Sequence, residues 1–368
     1  MTDNDRTLPA GAADPAASRP WYAQSGPQGD VVLSSRVRLA RNLQGLPFPG
    51  HMSAEQMVQL YQRAQQAADG AAFGPGRSLT FYNVADLADW RRMELVQHRL
   101  MSVQLAQKGG GLLLSGDEQV SIMLCEEDHL RIQVMNAGLS LKKCWQQANL
   151  LDDYFDSRLE FSFDEKLGYL THCPTNLGTG MRASVLMHLP ALEHTGYLQE
   201  LVGVAHKLGL TIRGAYGEGT GGERSMYQIS NQHSLGLSEG QILENLQAVV
   251  EQIAERERAE RQLYCKDQLA FCDRVYRSLG VLQYARLLTH QEVMEHCGVL
   301  RLGCSLGLCP ELTLETLSHI EAATGTGAIL QTAPQATTHR QQDKLRADLV
   351  RQIISGSAAR PAAPGGRA

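Results

Sequence analysis

No uninterrupted apolar run in the 368-residue chain reaches the length of a membrane span, and residues 1–30 lack the apolar core of a signal peptide. The expectation is a soluble, cytoplasmic protein. Positive charge is not in excess either: a net charge of -5 and a pI near 6.2 argue against a general binder of nucleic acid or anionic membrane. The cysteines at 125, 144, 173, 265, 272, 297, 304 and 309 include no C-x-x-C pair and no His spacing typical of zinc, so no metal site made of protein side chains is expected. Neither a Walker pattern nor a Gly-rich kinase loop with its lysine occurs, which excludes the two commonest ways of holding ATP.

What is present divides along the chain. Residues 1–29 are rich in Ala, Pro, Gly and Asp and predict a mobile tail. From Val31 to Asn42 a strand pattern places Ser34, Arg36 and Arg38 on one face and Ser35, Val37 and Leu39 on the other. Helical patterns follow from Ser53, where Ser53 and Gln56 suit a capping box, and from Asp86 to about Gln107, with His98 in mid-helix. Val120–Cys125 and His129–Met135 read as a hairpin with Glu126, Glu127 and Asp128 at its tip. Helices are expected over 140–155 and 191–208. From Ser238 the pattern changes to long helices. The division expected is a tail over 1–29, a catalytic domain over 30–260, a helical domain over 261–355 and a second tail over 356–368.

The most informative stretch runs from His172 to Pro190. Pro174, Asn176, Gly178 and Gly180 are turn formers whose backbone N–H groups are free to face an anion. Beyond them Arg182, Ser184, Leu186 and His188 alternate with Ala183, Val185, Met187 and Leu189, as in a strand. A second strand, Leu210–Arg213, runs into the glycine-rich loop Gly214, Ala215, Tyr216, Gly217, Glu218, a composition suited to wrapping closely around a ligand. Arg36, Arg38, Arg131, Arg182 and Arg213 thus lie in strand segments among apolar neighbours. Guanidinium groups converging on one sheet face require anions, and a triphosphate supplies them. The alternative is that each arginine pairs with a local Asp or Glu.

Cys-Pro-Thr-Asn-Leu-Gly-Thr-Gly-x-Arg-Ala from Cys173 to Ala183 resembles the signature of the ATP:guanidino phosphotransferases, the phosphagen kinase superfamily. Ser34–Arg38, Glu127–Arg131 and Arg213–Glu218 are similar to its other motifs, in the same order. The fold implied is α+β: an antiparallel β-sheet flanked by helices, of the phosphagen kinase and glutamine synthetase-like type, followed by an all-helical C-terminal domain. The resemblance implies ATP with Mg2+, contacted by Ser34, Ser35, Arg36, Val37, Arg38, His98, Arg131, Arg182, Ala183, Ser184, Val185, Leu186 and Arg213 to Glu218. Phosphorylating a guanidinium requires orienting a planar group and removing a proton, tasks suited to carboxylates. Glu127 and Glu218 are the expected pair, with Glu126 as the competitor of Glu127 and Cys173 as a polar aid beside the substrate.

Within the superfamily the chain is similar to the bacterial protein-arginine kinase branch. Its first motif begins at Ser34, leaving no room for the N-terminal helical domain of the small-substrate enzymes, and it continues past residue 260 with Asp273–Arg286 and Arg301–Gly303. That branch implies arginine-containing protein substrates, a Clp ATPase or protease, an activator protein, a stress repressor and a homodimer. Its phosphoarginine-reading motif, Arg-Asp-x-x-Arg-Ala, stands here with Gln342 in first place, followed by Asp343 and Arg346, which puts that feedback in doubt. Two other readings stay open: a kinase of a free guanidino metabolite such as arginine, and a non-catalytic adaptor that only binds ATP or phosphoarginine. Both expected carboxylates weigh against the adaptor.

Overall fold

The computed structural model describes residues 20–69, 78–214, 225–265 and 267–358. Its centre is an eight-stranded sheet in the order β2-β3-β4-β5-β1-β8-β10-β9, antiparallel throughout. The strands are β1 (Val32–Arg41), β2 (Leu79–Asn83), β3 (Gly111–Ser115), β4 (Val120–Leu124), β5 (Leu130–Ala137), β8 (Met181–His188), β9 (Leu210–Gly214) and β10 (Met226–Asn231). A separate two-stranded ribbon pairs β6 (Phe163–Asp164) with β7 (Gly168–Tyr169).

Alternation along the strands sorts the side chains onto two faces. On one face Val37 and Leu39, Ile132 and Val134, Ala183 and Val185, and Ile229 are fully buried in a single apolar cluster. Helices α1 (Ala54–Ala68), α4 (Leu141–Leu159), α6 (Tyr197–Lys207) and α7 (Glu239–Tyr264) bury their apolar stripes against that face. Ser53 caps α1 by accepting from the Gln56 amide while the Gln56 side chain accepts from the Ser53 amide, the reciprocal arrangement expected from the sequence. The other face carries the arginines of β1, β5 and β8 and is roofed at its β3–β4 end by α2 (Asp89–Gln97) and α3 (Val103–Lys108), which enclose Leu95, Leu100, Leu105, Met123 and Met135.

Where the sequence predicts one helix from Asp86 to Gln107, the chain breaks after Gln97. Arg99 takes a left-handed backbone conformation at φ 62°, Leu100 and Met101 turn inward, and Ser102 caps α3 through its hydroxyl. His98 therefore sits at a helix end rather than in mid-helix. The pattern predicted over 191–208 is also split, into α5 (Pro190–His194) and α6, at Gly196 with φ 75°. Residues 20–29, placed in a tail by composition, include a 3-10 turn at Trp21–Ala23 that buries Trp21 and Ala23.

Helices α8 (Gln268–Tyr284), α9 (His290–Ser305), α10 (Leu314–Ala323), α11 (Thr326–Thr332) and α12 (His339–Ala358) surround a second core containing Val275, Leu282, Leu300, Leu317, Ile320 and Val350. They dock on the sheet domain at two places. Arg261 of α7 donates to the carbonyls of Asp30 and His188 and to Ser305 Oγ. At the other place α11 lies directly on α2: a Cβ at Gly327 would stand 2.6 Å from the Trp90 carbonyl oxygen, so only glycine permits the approach. No helix among the described residues is long and apolar enough to cross a membrane.

Arg346 is buried within this helical core, donating to the carbonyls of Thr324 and Leu288 at 2.8 Å and to Asp343 at 2.6 Å, while Gln342 donates to the Ala336 carbonyl. Its guanidinium ties α12 to the α10–α11 and α8–α9 connections. Arg346→Ala leaves two buried carbonyls and a carboxylate without their donor, and we expect it to cost about 3 kcal/mol of stability. Differential scanning calorimetry of the full chain checks this; an unchanged melting profile would refute the structural role.

Candidate active site

The register of the three central strands brings the arginines together. Arg38 lies directly opposite Arg182 across β1 and β8, Arg36 opposite Ser184, and Arg131 opposite Ala40 across β1 and β5. Arg213 reaches the same face from the sheet edge through the Arg213–Gln228–Leu186 row. Arg36 donates from Nε to Ser184 Oγ and from Nη2 to Gln228 Oε1, both at 3.3 Å, and Arg182 donates to Ser230 Oγ at 3.2 Å. These are neutral partners. Among the described residues no carboxylate lies within ion-pair distance of Arg36, Arg38 or Arg182, and Arg182 Nε is buried with no hydrogen-bond partner there.

The alternative reading of the sequence holds for Arg131, which has its local carboxylate in Glu126, but not for Arg36, Arg38 and Arg182 among the described residues, and other arginines of the chain supply the contrast. Arg41, three residues past Arg38 on β1, is buried and forms a two-point pair with Asp152 at 2.7 and 2.8 Å, beneath the ring of Tyr169. Arg261 pairs with Glu257 at 2.7 Å. Arginines that brace the fold have their carboxylates; three that share the open face do not. The consequence is electrostatic. Burial, followed by Arg131 and Arg182, pushes Arg38 down to about 9, with Glu127 opposing. Burial and then Arg182 push Arg131 down to about 10. Arg36 is displaced well downward by burial and then by Arg38, Arg99, Arg131 and Arg182, and Arg182 downward by burial and then Arg213. Each of these shifts has burial as its largest cause and neighbouring arginines behind it, so the face is a concentration of positive charge that a bound polyanion would relieve.

Carboxylates and a thiol stand at the rim. Cys125 takes φ 57° at the start of the β4–β5 turn and sets the next residues in alternate directions. Glu126 is buried and ion-paired with Arg131; Glu127 is exposed and close enough to Arg38 to act on its charge. Asp128 is buried and accepts from Asn42 Nδ2 and from the His172 amide, both at 2.7 Å. His129 joins the same knot, accepting from the Leu43 amide at Nδ1, while its own amide donates to Asn42 Oδ1. This network fixes the acidic turn against the end of β1 and against the loop bearing Cys173. Cys173 is half-buried, its Sγ 3.0 Å from Thr175 Oγ1, and it lies near Arg182.

Ser34, Ser184 and Leu186 share the arginine face, and His98 borders it, stacked on Tyr22 with ring centroids 3.8 Å apart. Burial lowers the His98 imidazole below its ordinary value, so it is neutral at pH 7. Ser35, Val37, Ala183 and Val185 also fall in the predicted nucleotide segments, but strand alternation turns their side chains to the opposite face. There the last three are in the apolar core, and Ser35 Oγ donates to the Gly138 carbonyl. Gly214 ends β9, exposed; Ala215, Tyr216, Gly217 and Glu218 lie outside the described residues. Asp343 and Arg346 belong to the helical core and are not part of this face. Sequence reasoning overlooked Asn42, Asp128 and Tyr22. Asp128 and Asn42 are polar residues at strand ends, and that position is a weak signal for a buried network.

The model of the ATP:guanido phosphotransferase C-terminal catalytic domain matches residues 59–260, and that of the protein-arginine kinase McsB C-terminal domain matches residues 268–363. A protein-arginine kinase of Symbiobacterium thermophilum is 41% identical over 339 residues, spanning 91% of this chain and 96% of its own. One from Brevibacillus brevis is 38% identical over 337 residues, spanning 91% and 94%. Among solved structures, the duplicated taurocyamine kinase from Schistosoma mansoni with bound transition state analog components superposes with a TM-score of 0.57 at 30% identity, over 66% of this chain and 35% of that one. A lombricine kinase does so with a TM-score of 0.57 at 25% identity, over 66% and 70%. With its catalytic and C-terminal segments both matched, and with relatives aligned over nearly their whole lengths, the chain belongs to the protein-arginine kinase family of the ATP:guanido phosphotransferases.

Proposed function

We propose that this chain transfers the γ-phosphate of ATP to the guanidinium of arginine side chains in proteins, giving phosphoarginine and ADP. The observation that carries the reading is an arginine face on which Arg36, Arg38 and Arg182 have no carboxylate partner among the described residues, flanked by an acidic turn tied down by buried hydrogen bonds. Arg36, Arg38, Arg131 and Arg182 hold the triphosphate from the sheet, with Arg213 at its edge; guanidinium forks match phosphate oxygens two at a time. ATP is the phosphate donor in the name of the family, the ATP:guanido phosphotransferases. Among the described residues no group of three or more His, Cys, Asp or Glu side chains could hold a metal ion. Magnesium bound with ATP would supply positive charge that spreads the charge of the transferring group.

The chain's own residues do the rest. Exposed Glu127 hydrogen-bonds the incoming guanidinium, fixes its plane and accepts the proton released as the nitrogen–phosphorus bond forms and the bond from phosphorus to the ADP oxygen breaks. Glu126, committed to Arg131, keeps that arginine aimed at phosphate. Glu218 is proposed as the second carboxylate, and Cys173 as a polar neighbour of the substrate nitrogen. Alignment and charge stabilisation supply most of the acceleration, as is general for phosphoryl transfer. Leu269, Tyr276 and Tyr284, exposed at a spacing of two helical turns along α8, provide an apolar face for the proposed homodimer or for docking proteins.

The deciding experiment incubates the full chain with magnesium-ATP and offers free arginine and an unstructured arginine-rich protein side by side. Mass spectrometry under conditions that preserve acid-labile phosphate locates the product. Phosphoarginine in the protein alone is expected. Transfer to free arginine would move the chain to the metabolite kinases, and ATP binding without any transfer would make it an adaptor.

A further inference from the structure

A cavity of about 460 Å³ opens at one end of the arginine face, and its walls come from both domains. On the sheet side are Ser34 and Leu186, which face each other across β1 and β8. That pair lies two residues along the strands from Arg36–Ser184 and four from Arg38–Arg182, or about 7 Å and 14 Å at the rise of an extended chain. A nucleotide whose phosphates rest on the arginines would carry its base into this cavity. The far wall is helical: Met294 of α9 and Ser318, Glu321 and Ala322 of α10. The stacked Tyr22–His98 pair forms a third side.

The polar atoms around the cavity form a specific pattern. His98 Nε2 lies 3.3 Å from the Ala322 carbonyl oxygen, so that nitrogen carries the proton and Nδ1 is an acceptor. Nδ1 is buried with no partner among the described residues, as are Glu321 Oε1 and Trp21 Nε1. The second oxygen of Glu321 accepts from Arg301 at 3.2 Å, which holds the carboxylate in place. Two acceptors and one donor thus lack partners on side chains that line the pocket, beside the apolar Leu33, Val96, Val103 and Met294 and the polar Gln97 and Arg99. An amino group beside a ring nitrogen satisfies such a set. An exocyclic carbonyl oxygen in the place of the amine would face the Glu321 carboxylate and be repelled.

We propose that the C-terminal helical domain supplies one wall of the nucleotide base subsite, and that Glu321 Oε1 reads the exocyclic amine of adenine. This inference rests on the proposed use of ATP and deepens it. It makes the helical domain part of the nucleotide site rather than a separate appendage. It also makes nucleotide binding and the seating of α10 and α11 on α2 mutually reinforcing, because any ligand touching both surfaces favours the docked arrangement, and docking favours the ligand to the same degree.

The test compares dissociation constants of the full-length protein for ATP and for purine riboside 5′-triphosphate, which lacks only the amine, in wild type, Glu321→Ala and Glu321→Gln. The wild type is expected to prefer ATP by about tenfold or more, since a buried acceptor left empty is costly. Glu321→Ala should bring the ratio close to one by weakening ATP alone, and Glu321→Gln, whose amide oxygen is drawn to the Arg301 donor and whose NH2 then faces the base amine, should do the same. A role confined to neutralising Arg301 would weaken both nucleotides alike and leave the ratio unchanged, which overturns the proposal. A wild-type ratio near one overturns it without any variant. Failure of the wild type to bind either nucleotide would instead bring down the proposed use of ATP together with this inference.

Discussion

Glu127→Gln is expected to lower the rate of phosphoryl transfer about a thousandfold while leaving the dissociation constant for ATP within about twofold of wild type. The size follows from what a positioned proton acceptor contributes, between about a hundred- and ten-thousandfold. Glutamine matches the size of glutamate and accepts one hydrogen bond, so a substrate guanidinium still finds a partner, but the amide takes up no proton as the new bond forms. Stability should not change, because Glu127 is exposed and none of the buried bonds at the hairpin tip passes through it. The matching change at the neighbouring position separates the two carboxylates. Glu126 is buried and is the partner of Arg131, so Glu126→Gln releases an arginine of the phosphate face and should act on ATP affinity and on stability. Rapid-quench measurement of single-turnover transfer, with nucleotide titration alongside, distinguishes the outcomes. Near-normal transfer in Glu127→Gln would remove Glu127 from the chemistry.

That separation of Glu126 from Glu127 shows how far the chain could be read without its structure. Alternation in β1 and β8 is visible in the sequence because strand periodicity is local, and it assigns Arg36, Arg38 and Arg182 to one face and Val37, Ala183 and Val185 to the other. The capping box at Ser53 is legible for the same reason. Register is not local. Nothing in either strand alone says that Arg38 stands opposite Arg182, or that the loop bearing Cys173 is tied to the acidic turn through the His172 amide and Asp128. Long-range polar closure is equally invisible: Asn42 meets Asp128 across 86 positions, and His172 meets it across 44. The break after Gln97 was hidden because Arg99, Leu100 and Met101 are all good helix formers; tertiary packing of Leu100 and Met101 overrides that preference. Trp21 and Tyr22 were masked by the Pro- and Gly-rich composition around them. Their burial comes from surfaces contributed by residues far along the chain.

Arg38→Gln should separate function from stability. The folded protein holds Arg38 half-buried beside Arg131 and Arg182, with no carboxylate in ion-pair contact among the described residues, and each of those guanidinium groups disfavours the others. Replacing one of them with a neutral side chain removes repulsion and a desolvation cost that the unliganded fold bears without compensation. Exchanges of this kind are stabilising by about 1 kcal/mol or more where the charge lacks a partner. For a domain of this size that corresponds to a rise of about 2–4 °C in the melting temperature of the nucleotide-free protein. The same exchange takes a fixed positive charge from the phosphate cradle, and the loss in kcat/KM should be about a hundred- to a thousandfold. The wild type should gain melting temperature on addition of magnesium-ATP, and the variant should lose most of that gain, because binding to the folded state alone is what produces it. Differential scanning fluorimetry with and without nucleotide, paired with the transfer assay, reads both effects. If Arg38→Gln instead lowers the nucleotide-free melting temperature by several degrees, Arg38 is a brace of the fold like Arg41, and the case for an anion-binding face loses its central member.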